Sequence, residues 1–212
     1  MKIIDLTRTI TADMPVYPGT EQPKLDPAST YERDHFRETL LTMFSHTGTH
    51  MDAPAHIVPG RTTLDAFDAS QFTGTALVID CRELNMGDVI TLDFVTKYGS
   101  AANDADFLLF CTGHDKYWGR PEYFGDFPYP DDDVISYIIS HNKKGIGFDT
   151  ISADPISSLH NHKRLFSDNE IVIVENLTNL GELCGKVVGF CALPLKFENS
   201  DGAPVRAIAA ID

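Results

Sequence analysis

"SHTGTHMDAPAH", residues 45–56, gathers three of the chain's eight histidines and an aspartate into one short stretch. The spacing is His46-x3-His50-x-Asp52-x3-His56. A four-residue step can put two ligands on one helical face, but Thr47-Gly48-Thr49 disfavours helix, because glycine is permissive and threonine is β-branched. In extended chain, residues an even number apart project to the same side, so all four side chains share a face. Pro54 predicts a bend in any such strand. Gly48 marks a place where backbone must approach another group closely. Imidazole with carboxylate is the donor set of zinc, manganese and iron(II), so the stretch reads as one wall of a divalent-metal site. The plain alternative is three loop histidines satisfied by backbone carbonyls; the spacing is too rare by chance to favour it.

Such a site needs donors from elsewhere in the chain. "SLHNHKRLF" (158–166) offers His160 and His162, and Glu175 ends the apolar run "EIVIV" (170–174). An unpaired carboxylate directly after four branched aliphatic residues is costly to bury; the alternative is a strand-end glutamate in solvent. His114-Asp115, after "FLLFCTG" (107–113), is a weaker candidate, expected at the surface or behind the ligands. His35 and His141 lack clustered partners and are expected at the surface.

A chain of 212 residues with 42% hydrophobic content can bury a full core, and residues 1–212 are read as one domain. The formal charge of −14 argues against a nucleic-acid partner, which requires a basic stripe, and suits solubility. The N-terminal "MKIIDLTRTITADMPVYPG" has neither the apolar core nor the cleavage pattern of a signal peptide. No run approaches the roughly 18 apolar residues of a membrane span. Cys81, Cys111, Cys184 and Cys191 show no CxxC spacing. Cys81, Cys111 and Cys191 sit in or beside apolar runs, as expected of buried, reduced thiols in a cytoplasmic protein.

Short β-rich runs recur: "TALVIDC" (75–81), "DFLLFCTG" (106–113), "GIGFDT" (145–150), "EIVIVENL" (170–177) and "KVVGFCALPL" (186–195), with "KIIDLT" (2–7) as a further strand. Helices are expected over "TLDFVTKYG" (91–99) and "DDDVISYIISHNKKG" (131–145). In the second, acids at the start, lysines at the end and Gly145 as a stop suit the helix dipole. Asp131–Asp133 therefore reads as a helix cap rather than a calcium loop. The sum is an α/β domain in which strands outnumber helices.

"HTGTHMDAPAH" resembles the signature of the cyclase-like metal-dependent hydrolases, the family that contains bacterial kynurenine formamidase and isatin hydrolase. The resemblance spans nearly the whole chain: "IIDLTRTI" with "MPVYPG", then "GIGFDTISAD", "VIVENLTNL" and "ALPLKFENSDGAPVRAIA" follow in the family's order. It implies a swivelling β/β/α domain, a strand-rich mixed sheet or barrel-like core with flanking helices, and a homodimer or higher homo-oligomer. It also implies one or two divalent ions, zinc or manganese, per subunit. By position, His46, His50, Asp52 and Glu175 would be metal ligands, with Asp52 able to bridge two ions, and His56 would transfer protons. The late histidine ligand falls on His162. The segment from His162 to Glu175 is one residue longer than the family pattern, which keeps His160 as a substitute.

The chemistry implied is hydrolysis of a small amide by a metal-activated water, with His56 passing a proton to the leaving nitrogen. An arylformamidase acting on N-formylkynurenine in tryptophan catabolism is the first expectation. An isatin-type lactam or cyclic-amide hydrolase is the second, and a metal-dependent cyclase or dehydratase, or a metal binder without catalysis, the alternatives. Tyr17, Phe67 and Trp118 are candidates to stack on an aryl substrate, though each is also a plausible packing residue.

Overall fold

The computed structural model describes residues 1–211, and its strands form where short aliphatic runs are bounded by Gly, Pro, Asp or Asn. In chain order they are β1 (Lys2–Asp5), β2 (Lys24–Ser29), β3 (Glu38–Thr42), β4 (His50–Asp52), β5 (Thr73–Asp80), β6 (Val89–Ile90), β7 (Phe107–Cys111), β8 (Tyr129–Pro130), β9 (Gly145–Phe148), β10 (Val172–Glu175), β11 (Val187–Pro194) and β12 (Gly202–Ile211). The α-helices are short: α1 (Tyr31–Asp34), α2 (Asp93–Thr96), α3 (Ser100–Asp104), α4 (Asp132–Ser140) and α5 (His160–Phe166). Every run read as a strand forms one.

The two expected helices fare differently. α4 starts as read, with the Asp131 carboxylate accepting from Val134 N at 2.9 Å. It ends at Ser140, and Gly145 opens β9 instead of stopping the helix. Over residues 91–99 only Asp93–Thr96 is helical; Lys97 and Tyr98 form a turn, and Gly99 takes φ +54 and separates α2 from α3. Among the described residues no helix is long and apolar enough to cross a membrane.

β5, β7, β9 and β10 run parallel, joined by crossovers that carry the helices. Antiparallel β11, β12 and β4 complete the circuit, because β12 pairs with both β11 and β4, and β4 pairs with β10. Seven strands thus close into a barrel, and β1 extends the β12 edge beyond β4. Closure leaves no free edge around the ring.

Alternation along each strand builds two cores. Inward side chains such as Val78, Leu109, Val172, Val174 and Met51 fill the barrel. Outward Leu77, Ile79, Leu108, Phe110, Ile146, Phe148 and Ile173 pack beneath Val134, Ile135 and Ile138 of α4 and Leu165 and Phe166 of α5. Burial on both faces explains why these strands read as unbroken apolar runs. The barrel is narrow, so Ala76, Ala203, Ala207 and Ala209 recur inside it. Gly147 belongs to the same economy: a Cβ there would lie 2.7 Å from both Leu109 Cδ2 and Leu177 Cδ1.

Two features stand outside this frame. The β2–β3 hairpin is exposed along its length, with Leu40 and Leu41 at 57% and 52% exposure. Cys191, read as buried, is half-buried on β11, whereas Cys81 and Cys111 are buried. Overpacking predicts that Gly147→Ala costs about 1–3 kcal/mol. The check is urea unfolding, where the midpoint should fall with an unchanged m-value; an unchanged midpoint would mean the barrel interior has room to spare.

Candidate metal centre

β4 is only three residues long, yet all three are buried, two of them polar. Hydrogen bonding on both sides fixes it: Glu175 of β10 lies opposite His50, and Ile173 opposite Asp52. On the other side Gly202 of β12 lies opposite Asp52 and Pro204 opposite His50. Met51 points into the barrel, so His50, Asp52 and Glu175 share the outer face. α5 crosses that face and brings in His162.

These four residues are each at most 4% exposed. His50 Nε2 lies 3.3 Å from Asp52 Oδ1 and 3.4 Å from Glu175 Oε2. His162 Nε2 lies 3.3 Å from Asp52 Oδ2 and 3.4 Å from Glu175 Oε1. His50 and His162 therefore bracket the same two carboxylates, each imidazole nitrogen against a different pair of their oxygens. Their far sides are also fixed. His50 Nδ1–H donates to the Gly48 carbonyl at 2.8 Å, and His162 Nδ1 lies 2.7 Å from Asp154 Oδ2. Both contacts turn Nε2 inward, as in metal sites where an outer acceptor orients the ligating histidine.

A second group shares Asp52. His46 Nδ1 is 2.7 Å from Asp52 Oδ1, and its Nε2 is 3.0 Å from Asp201 Oδ2. The His56 ring lies against His46 at a tilt of 36° with centroids 3.9 Å apart, its Nδ1 3.7 Å from Asp201 Oδ2. Pro54 opens the single 3-10 turn Pro54–His56, which curls His56 back toward His46 in place of a continued strand. Gly48 takes φ +68, so its role is left-handed backbone; a Cβ there would come 3.3 Å from Ile10. The position that demands close approach is Gly202, where a Cβ would overlap the His46 imidazole.

The electrostatics follow from burial without an arginine or lysine among the ion pairs described for Asp52 and Glu175. Burial opposes charge on His50, yet the Asp52 and Glu175 carboxylates push its pKa up to about 10. His162 is held well above its ordinary value against the same burial, by Asp154, Asp52 and Glu175. Burial likewise opposes charge on Asp52, but the facing imidazoles hold its carboxyl well below the usual range. For His56, burial wins and the pKa falls. A polar cluster this acidic and this deep requires positive charge. The His50–Asp52–Glu175 and His46–Asp52–His56 donor atoms lie close enough to hold a cation each, so the donor set fits one or two divalent metals.

The cluster forms the back wall of a cavity of about 750 Å³. Its outer wall includes Val16, Tyr17, Phe44, Ile151, Ile156 and Leu159. Tyr17 donates its hydroxyl to the Ile156 carbonyl at 2.9 Å, tying the N-terminal segment across the opening. Phe67 does not line this cavity; it packs edge-to-face on Phe72 against the barrel core, because the 64–72 turns fold onto the barrel end. Trp118 is also elsewhere, stacked under the Arg8 guanidinium in a separate aromatic cluster. His160 is exposed and bound to Asp132, leaving His162 as the histidine of α5 that reaches the cluster. His114 is buried, with Nε2 3.1 Å from the Tyr123 carbonyl, while His35 and His141 are exposed. Sequence reasoning missed Asp154, Asp201 and Asn176 as neighbours of the site. Each sits in a turn or bend, and an Asp-Gly or Asp-Pro pair signals only a turn.

The chain matches the family model described as "Putative cyclase" over residues 4–155. It is 36% identical to an uncharacterised protein of Methanocaldococcus jannaschii, with all of both chains covered. It is 30% identical to a kynurenine formamidase of Bacillus cereus, over 97% of this chain and 95% of that one. Among solved structures, an isatin hydrolase A from Labrenzia aggregata bound to benzyl benzoate superposes with a TM-score of 0.85 at 27% identity, covering 98% and 93% of the two chains. A potential metal-dependent hydrolase with cyclase activity gives 0.79 at 29% identity, covering 98% and 96%.

The close approach at Gly202 predicts that Gly202→Ala displaces the His46 ring while leaving His162 in place. Long-range proton–nitrogen NMR of the histidine rings is the check. A shifted His46 with an unshifted His162 is expected; an undisturbed His46 would contradict the packing described.

Proposed function

The chain belongs to the cyclase family of metal-dependent hydrolases, and on that premise we propose that it is an arylformamidase, hydrolysing N-formylkynurenine or a closely similar aryl formamide to amine and formate. The observation that carries this reading is the buried Asp52–Glu175 carboxylate pair, bracketed by the imidazoles of His50 and His162 at the back of an apolar-walled cavity. Lys163 gives the reading its direction. It is the only lysine or arginine among the residues lining the cavity, and no carboxylate lies within ion-pair distance of it among the described residues. It is suited to a substrate that carries a carboxylate beyond its aryl ring.

His50, Asp52 and Glu175, with His162 facing the same two carboxylates from the other side, are assigned to hold a zinc or manganese ion, and His46 with Asp52 to admit a second. Such an ion supplies Lewis acidity to the carbonyl and lowers the pKa of a water to about 7. His56 takes the proton released as water adds to the formyl carbon, and returns it to the nitrogen as the C–N bond breaks. An imidazolium formed there is stabilised by Asp201, 3.7 Å from its Nδ1. Burial keeps His56 neutral and able to accept that proton. Tyr17, Ile151 and Ile156 hold the aryl ring and exclude water around it.

Isatin-type lactam hydrolysis is the second reading, favoured by the TM-score of 0.85 to an isatin hydrolase. We further propose a homodimer, because a two-stranded hairpin with Leu40 and Leu41 exposed is marginal alone and gains from a covering surface. Cytoplasmic residence is proposed as well, supported by the buried thiols of Cys81 and Cys111.

The test is turnover of N-formylkynurenine, formanilide and isatin by metal-stripped protein given zinc or manganese. N-formylkynurenine should be the best substrate, and Lys163→Gln should raise its KM several-fold, in line with about 1 kcal/mol for a partly exposed ion pair, without affecting formanilide. His56→Ala should lose about 10²–10⁴ in kcat at full metal content. Preference for isatin would favour the second reading. Turnover of none of the three would overturn both, and an active His56→Ala would remove that residue's role.

A further inference from the structure

Tyr123 lies on the 3-10 turn Pro121–Phe124, fully buried with Phe127 and Ile151 in a small aromatic cluster. Its ring stacks on His114 with centroids 5.4 Å apart and meets Trp118 edge-on at 5.1 Å. A phenylalanine would satisfy that packing. A buried hydroxyl in such surroundings is costly unless it has a partner. Here the hydroxyl reaches across the fold and donates to Asn176 Oδ1 at 2.6 Å.

Asn176 directly follows Glu175 and takes left-handed backbone, φ +59. Its backbone is pinned on both sides: its N–H donates to the Thr150 carbonyl at 2.9 Å, and its carbonyl accepts the Thr49 hydroxyl at 2.8 Å. Its side-chain Nδ2 donates to the Gly48 carbonyl at 2.9 Å. That same oxygen accepts His50 Nδ1–H at 2.8 Å. The amide has one workable orientation, because turning it over would set Oδ1 against the Gly48 oxygen, acceptor against acceptor. Tyr123 must therefore be the donor to Oδ1, and Asn176 the second donor to Gly48. Both lone pairs of the Gly48 carbonyl are then engaged, and it cannot swing away from the imidazole.

We propose that Tyr123 is a positioning residue for the metal centre: through Asn176 and the Gly48 carbonyl it keeps the proton of His50 on Nδ1 and the ring's Nε2 aimed between Asp52 and Glu175. This rests on the reading of His50 as a metal ligand. The relay gives the 112–130 excursion, otherwise an aromatic cap, a direct bearing on the site. It also accounts for Asn176, whose left-handed backbone and paired side chain place a donor where neither glycine nor aspartate could.

Tyr123→Phe removes only the hydroxyl, and Asn176→Gly removes the side-chain donor while tolerating the same backbone. Zinc affinity by chelator competition should fall about 10–100-fold in Tyr123→Phe, the usual cost of losing an outer contact to a ligating histidine. The loss in the double variant should not exceed that in Asn176→Gly alone, as expected of two links in one chain. In metal-free protein the His50 Nδ1–H proton should be protected from solvent exchange in the wild type and lose that protection in Tyr123→Phe. Zinc affinity within twofold of wild type in Tyr123→Phe, losses that add in the double variant, or unchanged His50 protection would each overturn the proposal. A wild-type chain that binds no zinc or manganese would instead defeat the metal reading, and the exchange measurement would still decide the relay.

Discussion

Two carboxylates, Asp52 and Glu175, are buried side by side on the outer wall of a closed barrel, and the ion pairs described for them are with imidazoles alone. Burying such a pair carries a desolvation cost of several kcal/mol per ion unless positive charge is supplied at the site. The local structure answers that demand. Imidazoles surround the carboxylates, outer acceptors hold the rings in orientation, and the donor atoms converge where a divalent cation can sit.

The barrel is what makes this placement exact enough to be chemical. β4 has neighbours on both sides, so the register of His50 and Asp52 is set twice, against β10 and against β12. A slip of one residue would exchange Met51 for its polar neighbours, burying charge in the barrel and turning a thioether to the site. Small side chains inside the barrel let the wall close, and larger ones outside seat α4 and α5. α5 in turn delivers His162, held by Asp154 through both its backbone N–H and its Nδ1. Fold and site therefore share one support: what fixes β4 fixes the donors.

Much of this could be read from the chain before folding, and the parts that could not have physical reasons. Strands buried on both faces are dense in Val, Ile, Leu and Phe, so β5, β7, β9 and β10 were legible as runs, and β11, buried on alternate residues, was legible from its own Val and Phe. β12 was not, because its "GAPVRAIAA" is rich in alanine, small to suit the barrel interior and weak as a strand signal. The β2–β3 hairpin was missed because Pro27 breaks its pattern and no face of it is buried. The helix expected over 91–99 shrinks to Asp93–Thr96, and Gly99, the glycine that closes that stretch, takes the positive φ of a helix stop. His46, His50, Asp52, His56, His162 and Glu175 meet in one cavity, as their residue types suggested. Asp154, Asp201 and Asn176 act through turns, where composition announces a loop and says nothing of which side chain turns inward. Phe67 and Trp118 show the converse: an aromatic residue carries no sign in sequence of whether it lines a cavity or fills a core.

The central claim is that the buried acid at Asp52 is balanced by a divalent cation. The most direct measurement is the metal content per chain, by elemental analysis, of wild type and Asp52→Asn after equilibration with zinc or manganese and removal of free ion. The account predicts at least about one ion per wild-type chain and close to none in folded Asp52→Asn, since Asp52 is common to both donor groups. A wild-type chain without bound metal, or an Asp52→Asn chain that keeps its full complement, would contradict it.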